Sequence, residues 1–494
     1  MRITVNRKRD RIYPDSKRVI TRFFDHYEIR AKSIIQKILD MNEIEAETSL
    51  NLVLREFAKR HRNITKIFMV NFSRVIHFVN ELVENHEKMS QTKRLLIGSF
   101  FTMEYSIESA ALFNPSIVEH PDQNQLEYGQ MRIIVSFRAT GESHISSIVF
   151  RSGIIDKDCN LHFDPQGNYV SEAEVIKKHV YNKNEFALIL REHEIVNDVS
   201  TDVLNKLGEF FFYEEIKIVI NKEQERKRLT LDQKKTLKEM MWLAKSHYEI
   251  VFSQDMDISE RTIFPISSIE SNGIEDARFV KFTDDNGETI YYATYTAYDG
   301  YTILPKLLET KDFYYFKNLP IHGDCSKDKN FALFPRKING HYAMLSRLDG
   351  VNHYIMFSDN ITLWETSQLL WEPKYNWELI QVGNCGSPIE TPEGWLVITH
   401  GVGQMRKYSI GALLLDLEDP TKVIGSLKEP LIVPNEDERE GYVPNVVYSC
   451  GSIIHNSTLV IPYAISDYAS SFATVSLKTL LSKLKEQDEG LFIS

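Results

Sequence analysis

Near the middle of the chain two acids and an arginine stand together, Glu275-Asp276-Ala277-Arg278, just ahead of a strand-like run. Elsewhere Arg138 closes one such run, Lys329-Asn330 and Arg347 flank another, His400 ends a fourth and Asp467 follows a fifth. A carboxyl group set among cations and amides suits a proton donor working on an anionic substrate, because charge-assisted hydrogen bonds are about twice as strong as neutral ones. Any one of these residues alone reads equally as a strand-end turn or a salt bridge. Their recurrence at matching places in similar segments marks them as members of one site.

Those segments are Arg132-Ile-Ile-Val-Ser-Phe-Arg138, Tyr291-Tyr-Ala-Thr-Tyr-Thr296, Tyr342-Ala-Met-Leu-Ser-Arg347, Trp395-Leu-Val-Ile-Thr-His400 and Leu459-Val-Ile-Pro-Tyr-Ala464. The last four begin about 51, 53 and 64 residues apart, a blade-like spacing. Five repeats imply a mainly β fold, a five-bladed β-propeller whose channel gathers polar residues from every blade. A β-sandwich can also be built from such runs. The first gap is longer, about 159 residues. It calls for an insertion at about 171–250, where helical patterns and a capping-box start, Thr230-Leu-Asp-Gln233, occur.

Residues 1–100 have another texture. Ile64, Phe68, Phe72, Val75, Val79 and Leu82 recur at three- and four-residue steps and predict one amphipathic helix. Tyr27, Ile34, Ile35, Ile38 and Leu39 predict an earlier one. The expected organisation is an N-terminal helical region over 1–100 and a propeller over 101–485. The helical faces are large enough to pack on the propeller or to join copies in a homo-oligomer. The Lys and Arg residues of positions 7–32 read as solvated helix surface.

The chain of 494 residues carries 58 basic and 69 acidic side chains, a net charge of −11. That balance argues against nucleic acid as a partner, which needs a basic footprint. The stretch Met1–Asp10 has no apolar core for a signal peptide, and no run approaches the ~18 apolar residues of a membrane span. Cys159, Cys325, Cys385 and Cys450 are scattered without a CxxC pair. They read as free thiols of a cytoplasmic protein with no metal site and no cofactor.

At the polar residues the sequence resembles glycoside hydrolase family 130, the β-mannoside phosphorylases and related β-mannosidases. Gly273-Ile-Glu-Asp-Ala-Arg278 is similar to the family's Gly-x-Glu-Asp-Pro-Arg signature. Phe331-Ala-Leu-Phe-Pro-Arg-Lys-Ile-Asn-Gly-His-Tyr-Ala-Met-Leu-Ser-Arg347, Gly383-Asn-Cys-Gly-Ser-Pro388 and Gly394-Trp-Leu-Val-Ile-Thr-His-Gly401 follow in family order. So do the segments beginning at Tyr408 and Gly441, while Phe113-Asn-Pro-Ser116 and Ser136-Phe-Arg138 resemble the opening blade. The likeness runs over about residues 105 to 475 and leaves out most of the helical N-terminal region.

The resemblance implies a five-bladed propeller enzyme that cleaves a β-1,2- or β-1,4-linked mannoside with inorganic phosphate and releases α-mannose 1-phosphate with inversion. It makes Asp276 the general acid, acting through the mannose 3-hydroxyl. Lys329, Asn330, Arg347, Gln381, His400 and Tyr408 would hold phosphate, with a neutral His400 donating a hydrogen bond. Asn114, Ser116, Arg138, Arg278 and Asp467 would hold the sugar or orient the acid. Lys329 stands where the family has Arg, Gln381 where its phosphorylases have Lys, and Ala277 where the signature has Pro. Two alternatives stay open: an inverting β-mannosidase using water, and a non-catalytic carbohydrate-binding propeller. Trp364, Trp371 and Trp377 read as core packing before sugar stacking.

Overall fold

Each of the five repeated runs lies in the second strand of its own antiparallel sheet. The computed structural model describes residues 3–486 except 84–85, 177–179, 193–194, 227, 247 and 302. In the first sheet Ala111–Glu119 pairs with Met131–Thr140, then Ser146–Ile155 and Arg261–Ile263. The second runs Gly273–Thr283, Thr289–Tyr298, Ile303–Thr310 and Tyr315–Pro320. The third runs Lys329–Leu333, Tyr342–Arg347, His353–Ser358 and Ser367–Trp371, and the fourth Gln381–Asn384, Gly394–Val402, Tyr408–Leu415 and Val423–Ser426. In the fifth, Val447–Tyr448, Thr458–Ile465 and Ala469–Ser476 are completed by Val5–Arg7 from the start of the chain.

These strands read as near-continuous apolar runs because both faces are covered. Gly394–Val402 is buried at every position. Phe150 of the first sheet packs on Phe279 and Phe316 of the second, and Leu307 of the second meets Met344 of the third. Leu345 and Val397 share one core cluster of the third and fourth sheets, Leu396 and Leu459 one of the fourth and fifth, and Val460 of the fifth shares one with Ile117 and Val135 of the first. Each sheet therefore packs on the next and the last on the first. Burying one such side chain is worth about 1.5–3 kcal/mol. Trp364, Trp371 and Trp377 belong to this packing, all at most 9% exposed.

Residues 1–100 are not wholly helical. Val5–Arg7 joins the fifth sheet and Val19–Phe23 pairs with Thr102–Ser106. Five α-helices, Glu28–Asp40, Glu43–Phe57, Ile64–Arg74, Ile76–Leu82 and Gln91–Phe100, enclose Ile35, Ile38, Phe68, Phe72, Val79 and Leu96. The single helix expected from Ile64 to Leu82 breaks at Val75, whose φ of −106° and ψ of 8° leave the helical range. Tyr27 precedes the first helix and is 91% exposed, so it is no part of that apolar face.

The segment 171–250, a few of whose residues lie outside those described, adds strands Glu174–Ile176 and Tyr248–Val251 to the outer edge of the second sheet. Between them four helices close around Phe186, Val203, Ile216 and Leu237. The Thr230 capping box forms: Thr230 N–H donates to Gln233 Oε1 at 3.0 Å and Gln233 N–H to Thr230 Oγ1 at 3.1 Å. At the root of this insertion the buried carboxylate of Glu270 accepts hydrogen bonds from Tyr248, Tyr295 and Lys306. Among the described residues no helix is long and apolar enough to cross a membrane. All four cysteines are free and buried.

Candidate active site

Three of the sheets aim a polar side chain at the same place by one device. The leading strand of the first sheet shifts register between Phe113 and Ser116, that of the second between Glu275 and Arg278, that of the third between Lys329 and Ala332. Inside each bulge a non-glycine residue takes a left-handed backbone: Asn114 (φ 48°), Asp276 (φ 56°) and Asn330 (φ 77°). A bulge re-aims a side chain at the cost of local strain, which persists where the surroundings over-determine it.

The three bulges converge on a charge cluster. Asn114 Nδ2 donates to Asp276 Oδ1 at 2.6 Å, and an Arg138 guanidinium nitrogen lies 3.5 Å from the same oxygen. The other terminal nitrogen of Arg138 donates to Glu275 Oε1 at 2.8 Å, while Lys329 Nζ donates to Glu275 Oε2 at 2.7 Å. Glu275, unremarked at the level of single residues, thus links the two cations. Burial pushes the Asp276 carboxyl up, but Arg138, Arg278, the Asn114 amide and Lys329 outweigh it and hold the carboxyl below its ordinary range. Asp467, left-handed at φ 50°, behaves oppositely. Burial and the charges of Asp276 and Glu275 prevail over Arg138 and Arg406 and push it up to about 7.

Arg347 pairs with Lys329 across the third sheet, so both side chains leave the same face. Among the described residues its one acidic partner is Asp328, 3.8 Å from Nε, and no hydrogen bond falls on its terminal nitrogens. Two histidines beside it are kept neutral. Burial first, then the Arg347 charge, pushes His353 down to about 3 and His400 well below its usual range. His400 Nδ1 lies 3.1 Å from the carbonyl oxygen of Asn384. A carbonyl only accepts, so Nδ1 carries the proton and Nε2 is a bare acceptor. With this tautomer a neutral His400 presents an acceptor at Nε2 and not the expected donor.

Two expected ligands are joints between sheets. Asn330 accepts from Asn384 N–H at 2.7 Å and donates to Tyr448 Oη at 3.1 Å, so its amide is engaged at both ends. Ser116 is 1% exposed and its Oγ accepts from Phe279 N–H at 3.0 Å. Arg278 donates to the Asp276 carbonyl at 3.1 Å and to Tyr448 Oη at 2.5 Å, and so holds the bulge rather than the carboxylate. Gly383 permits the Asn330 approach, since a Cβ there would fall 2.3 Å from Asn330 Oδ1. Gln381 lies two residues earlier on the same face. The Tyr408 ring lies parallel to the His400 ring, centroids 6.1 Å apart.

Tyr448 escaped sequence reasoning although it stands in the quoted segment from Gly441. Its hydroxyl accepts from both Arg278 and Asn330, which leaves its own proton to donate into the site. Its ring lies 4.8 Å from that of His400. The signal was positional: it sits in the leading strand of the fifth sheet, as Asp276 does in the second.

A sequence model of glycoside hydrolase family 130, described as beta-1,4-mannooligosaccharide phosphorylase, matches residues 234–486. The 1,2-beta-oligomannan phosphorylase of Thermoanaerobacter sp. (strain X514) is 38% identical over 218 residues, 43% of this chain and 71% of that protein. The chain belongs to glycoside hydrolase family 130. Two further family 130 relatives are more distant. The beta-1,2-mannobiose phosphorylase of Listeria innocua serovar 6a is 31% identical over 45% of this chain and 63% of its own length. The beta-1,4-mannooligosaccharide phosphorylase of Ruminococcus albus is 33% identical over 35% and 55%. The structure of the Listeria innocua enzyme with beta-1,2-mannobiose aligns at a TM-score of 0.47 and 22% identity, covering 78% of this chain and 94% of that one.

Proposed function

We propose that the five sheets are the blades of a propeller and that the chain is an inverting phosphorylase of β-1,2- or β-1,4-linked mannosides. The cyclic packing of the sheets supports the propeller. So does a cavity of about 490 Å³ at the end of the leading strands away from Asp276, lined from every sheet by residues such as Ile117, Phe279, Pro335, Ile389 and Ile453. The reaction rests above all on one observation: Arg347, whose terminal nitrogens take no hydrogen bond to an acid among the described residues, shares a face with Lys329 in the cluster that holds Asp276. Glu275, the acid that precedes Asp276 in the chain, is engaged at both oxygens by Arg138 and Lys329, so it is poorly suited to activate water as an inverting hydrolase requires.

Asn114, Arg138 and Asp467 hold the mannosyl unit. Arg347 grips two phosphate oxygens, Lys329 adds charge, and Tyr448 and Tyr408 donate hydroxyl protons. His400 Nε2 accepts the proton of hydrogen phosphate, so the site selects that species. Phosphate near Arg347 and Lys329 offsets the positive field that keeps Asp276 ionised, which raises its carboxyl toward the protonated state. Asp276 then passes its proton through the mannose 3-hydroxyl to the glycosidic oxygen as that bond breaks. A phosphate oxygen bonds to the anomeric carbon from the opposite face. The products are α-mannose 1-phosphate and the shortened mannoside, and the phosphate's own proton restores Asp276. A positioned acid contributes about 10²–10⁴ in rate.

The reading extends to a cytoplasmic protein, to which four buried free thiols are suited. It extends also to a homo-oligomer through the N-terminal helices, where Ile29, Ile44 and Leu52 are exposed. The test of the reaction is incubation with β-1,2- and β-1,4-mannobiose with and without phosphate. Mannose 1-phosphate formed only with phosphate is the expected result. Free mannose released at one rate in both arms establishes the hydrolase instead.

A further inference from the structure

Three blades end on the site face in two-residue turns whose central residues are both left-handed. They are Ser143-His144 (φ 56° and 60°) in the first sheet, Met405-Arg406 (57° and 54°) in the fourth and Ser466-Asp467 (47° and 50°) in the fifth. Each closes with a backbone hydrogen bond: Ile145 to Glu142 at 3.3 Å, Lys407 to Gln404 at 3.2 Å and Tyr468 to Ile465 at 3.0 Å. Such turns favour Asn-Gly, and bulkier residues there cost on the order of 1 kcal/mol each. In all three the second residue is nonetheless a large polar one, His144, Arg406 or Asp467. Asp467 already belongs to the site, and the Arg406 charge acts on it.

The Ser466 turn also carries the segment 441–443. Val443 N–H donates to the Ser466 carbonyl at 3.0 Å, and a Cβ on Gly441 would fall 2.4 Å from that oxygen. Glycine therefore lets this segment press onto the turn. Between these anchors Tyr442 reaches the first sheet: its ring lies 5.4 Å from that of His144, and its Oη is 3.3 Å from His144 Nδ1. Both side chains stay open to solvent, Tyr442 at 58% exposure. An exposed aromatic pair fixed across the seam of two blades, next to the turn that bears Asp467, offers a face for the apolar side of a pyranose. Arg406 offers donors for its hydroxyls.

We propose that Tyr442, His144 and Arg406 form the subsite for the sugar that leaves, the unit joined to the mannosyl group through the scissile oxygen. The inference rests on the phosphorolysis reading and adds the residues that choose the acceptor. These are specificity residues, since the bonds that change lie at Asp276 and Arg347.

The test uses the full chain in the synthetic direction, with α-mannose 1-phosphate as donor and mannose or β-1,2-mannobiose as acceptor. Tyr442→Ala is expected to raise the acceptor KM about fivefold to tenfold and to leave the donor KM unchanged. Tyr442→Phe keeps the ring and should stay within about twofold. Arg406→Ala should raise the acceptor KM as well. Acceptor KM values within about twofold of the unmodified protein in Tyr442→Ala and Arg406→Ala, or equal rises for donor and acceptor, overturn the subsite. If the unmodified protein transfers no mannose, the phosphorolysis reading falls by itself. The subsite is then decided by calorimetric titration with β-1,2-mannotriose: binding that Tyr442→Ala weakens supports it, and binding that is absent or unweakened refutes it.

Discussion

Glu270, fully buried, and Asp276, 17% exposed, are two carboxylates a few residues apart in the chain, both held below the usual carboxyl range, and they have opposite uses. Glu270 Oε1 accepts from Tyr248 at 2.9 Å, Tyr295 at 2.6 Å and Lys306 at 3.2 Å. Its Oε2 accepts from Tyr248 and from the backbone N–H groups of Ile266 and Ser267, each at 3.1 Å. Both oxygens are saturated, so the group ties the insertion to the second sheet and has no capacity left for a substrate. Asp276 takes Asn114 and Arg138 on one oxygen, and among the described residues no hydrogen bond falls on the other. Glu270 sits in a relaxed turn, whereas Asp276 sits on a left-handed bulge. Where backbone rules are broken and a carboxylate oxygen is left open, chemistry is the purpose; where every atom is satisfied, stability is.

That contrast breaks most visibly if the two carboxylates are neutralised in turn. Asp276→Asn should lower turnover about 10²–10⁴-fold and leave thermal stability unchanged or raised, because a strained functional carboxylate is not there for the fold. Near-normal turnover in the folded variant removes Asp276 from the mechanism. Glu270→Gln breaks the buried ion pair with Lys306, a change that costs about 3–5 kcal/mol of unfolding free energy in comparable pairs. Urea denaturation reads the loss. Activity per folded molecule should persist, and a selective loss of turnover without loss of stability erases the distinction.

Acidity sharpens the comparison, because Glu270 and Asp467 should respond to pH with opposite signs. Burial pushes the Glu270 carboxyl up, but Lys306 and the donors around it win and hold it below its usual range. Its stabilising contribution is therefore complete above the unfolded carboxyl pKa and is lost as the pH falls through the folded value. Asp467 is raised to about 7, so the folded state binds the extra proton and stability falls as the pH rises from about 4 to 7. Asp467→Asn should then raise Tm more at pH 8 than at pH 5. Scanning calorimetry at both pH values checks it, and an equal gain at both detaches Asp467 from the cluster.

The same two carboxylates show what the sequence could carry. The repeated runs located every second strand, because strands buried on both faces leave long apolar segments. The residues at their ends, Arg138, Arg347 and His400, were legible with them. The bulges were not, since Asn and Asp favour a left-handed backbone but take it at only some of their positions, and nothing in the chain singled out Asn114 or Asn330. Nor could one sequence separate a side chain satisfied by the neighbouring sheet, as the Asn330 amide and the Ser116 hydroxyl are, from the Asn114 amide, whose Oδ1 has no hydrogen-bond partner among the described residues. Glu275 and Tyr448 stood inside recognisable segments, but their contacts depend on partners in other sheets. The break at Val75 escaped as well, because the apolar period continues across it.

The smallest effect tests whether the open cluster is short of charge. Gln381 leads the inner strand of the fourth sheet, on the face that Gly383 shares with Asn330 and His400. The Val382 N–H donates to the Val351 carbonyl at 2.9 Å, which fixes this strand against the loop that follows Arg347. A cation here would add to Arg347 without touching Asp276. Lys329 is partly compensated by Glu275, so under the proposed reading phosphate would meet little positive charge beyond Arg347 itself. Gln381→Lys should therefore lower the phosphate KM by about threefold to tenfold at low salt, with turnover nearly unchanged, and the gain should shrink as salt screens it. The mannoside KM should not move, because the added charge lies on the phosphate side. A phosphate KM that stays the same would mean that Gln381 does not face the bound anion. A loss of turnover would mean that the extra cation reaches Asp276 and holds it ionised, so that the open carboxylate is tuned by the whole ring of charges around it.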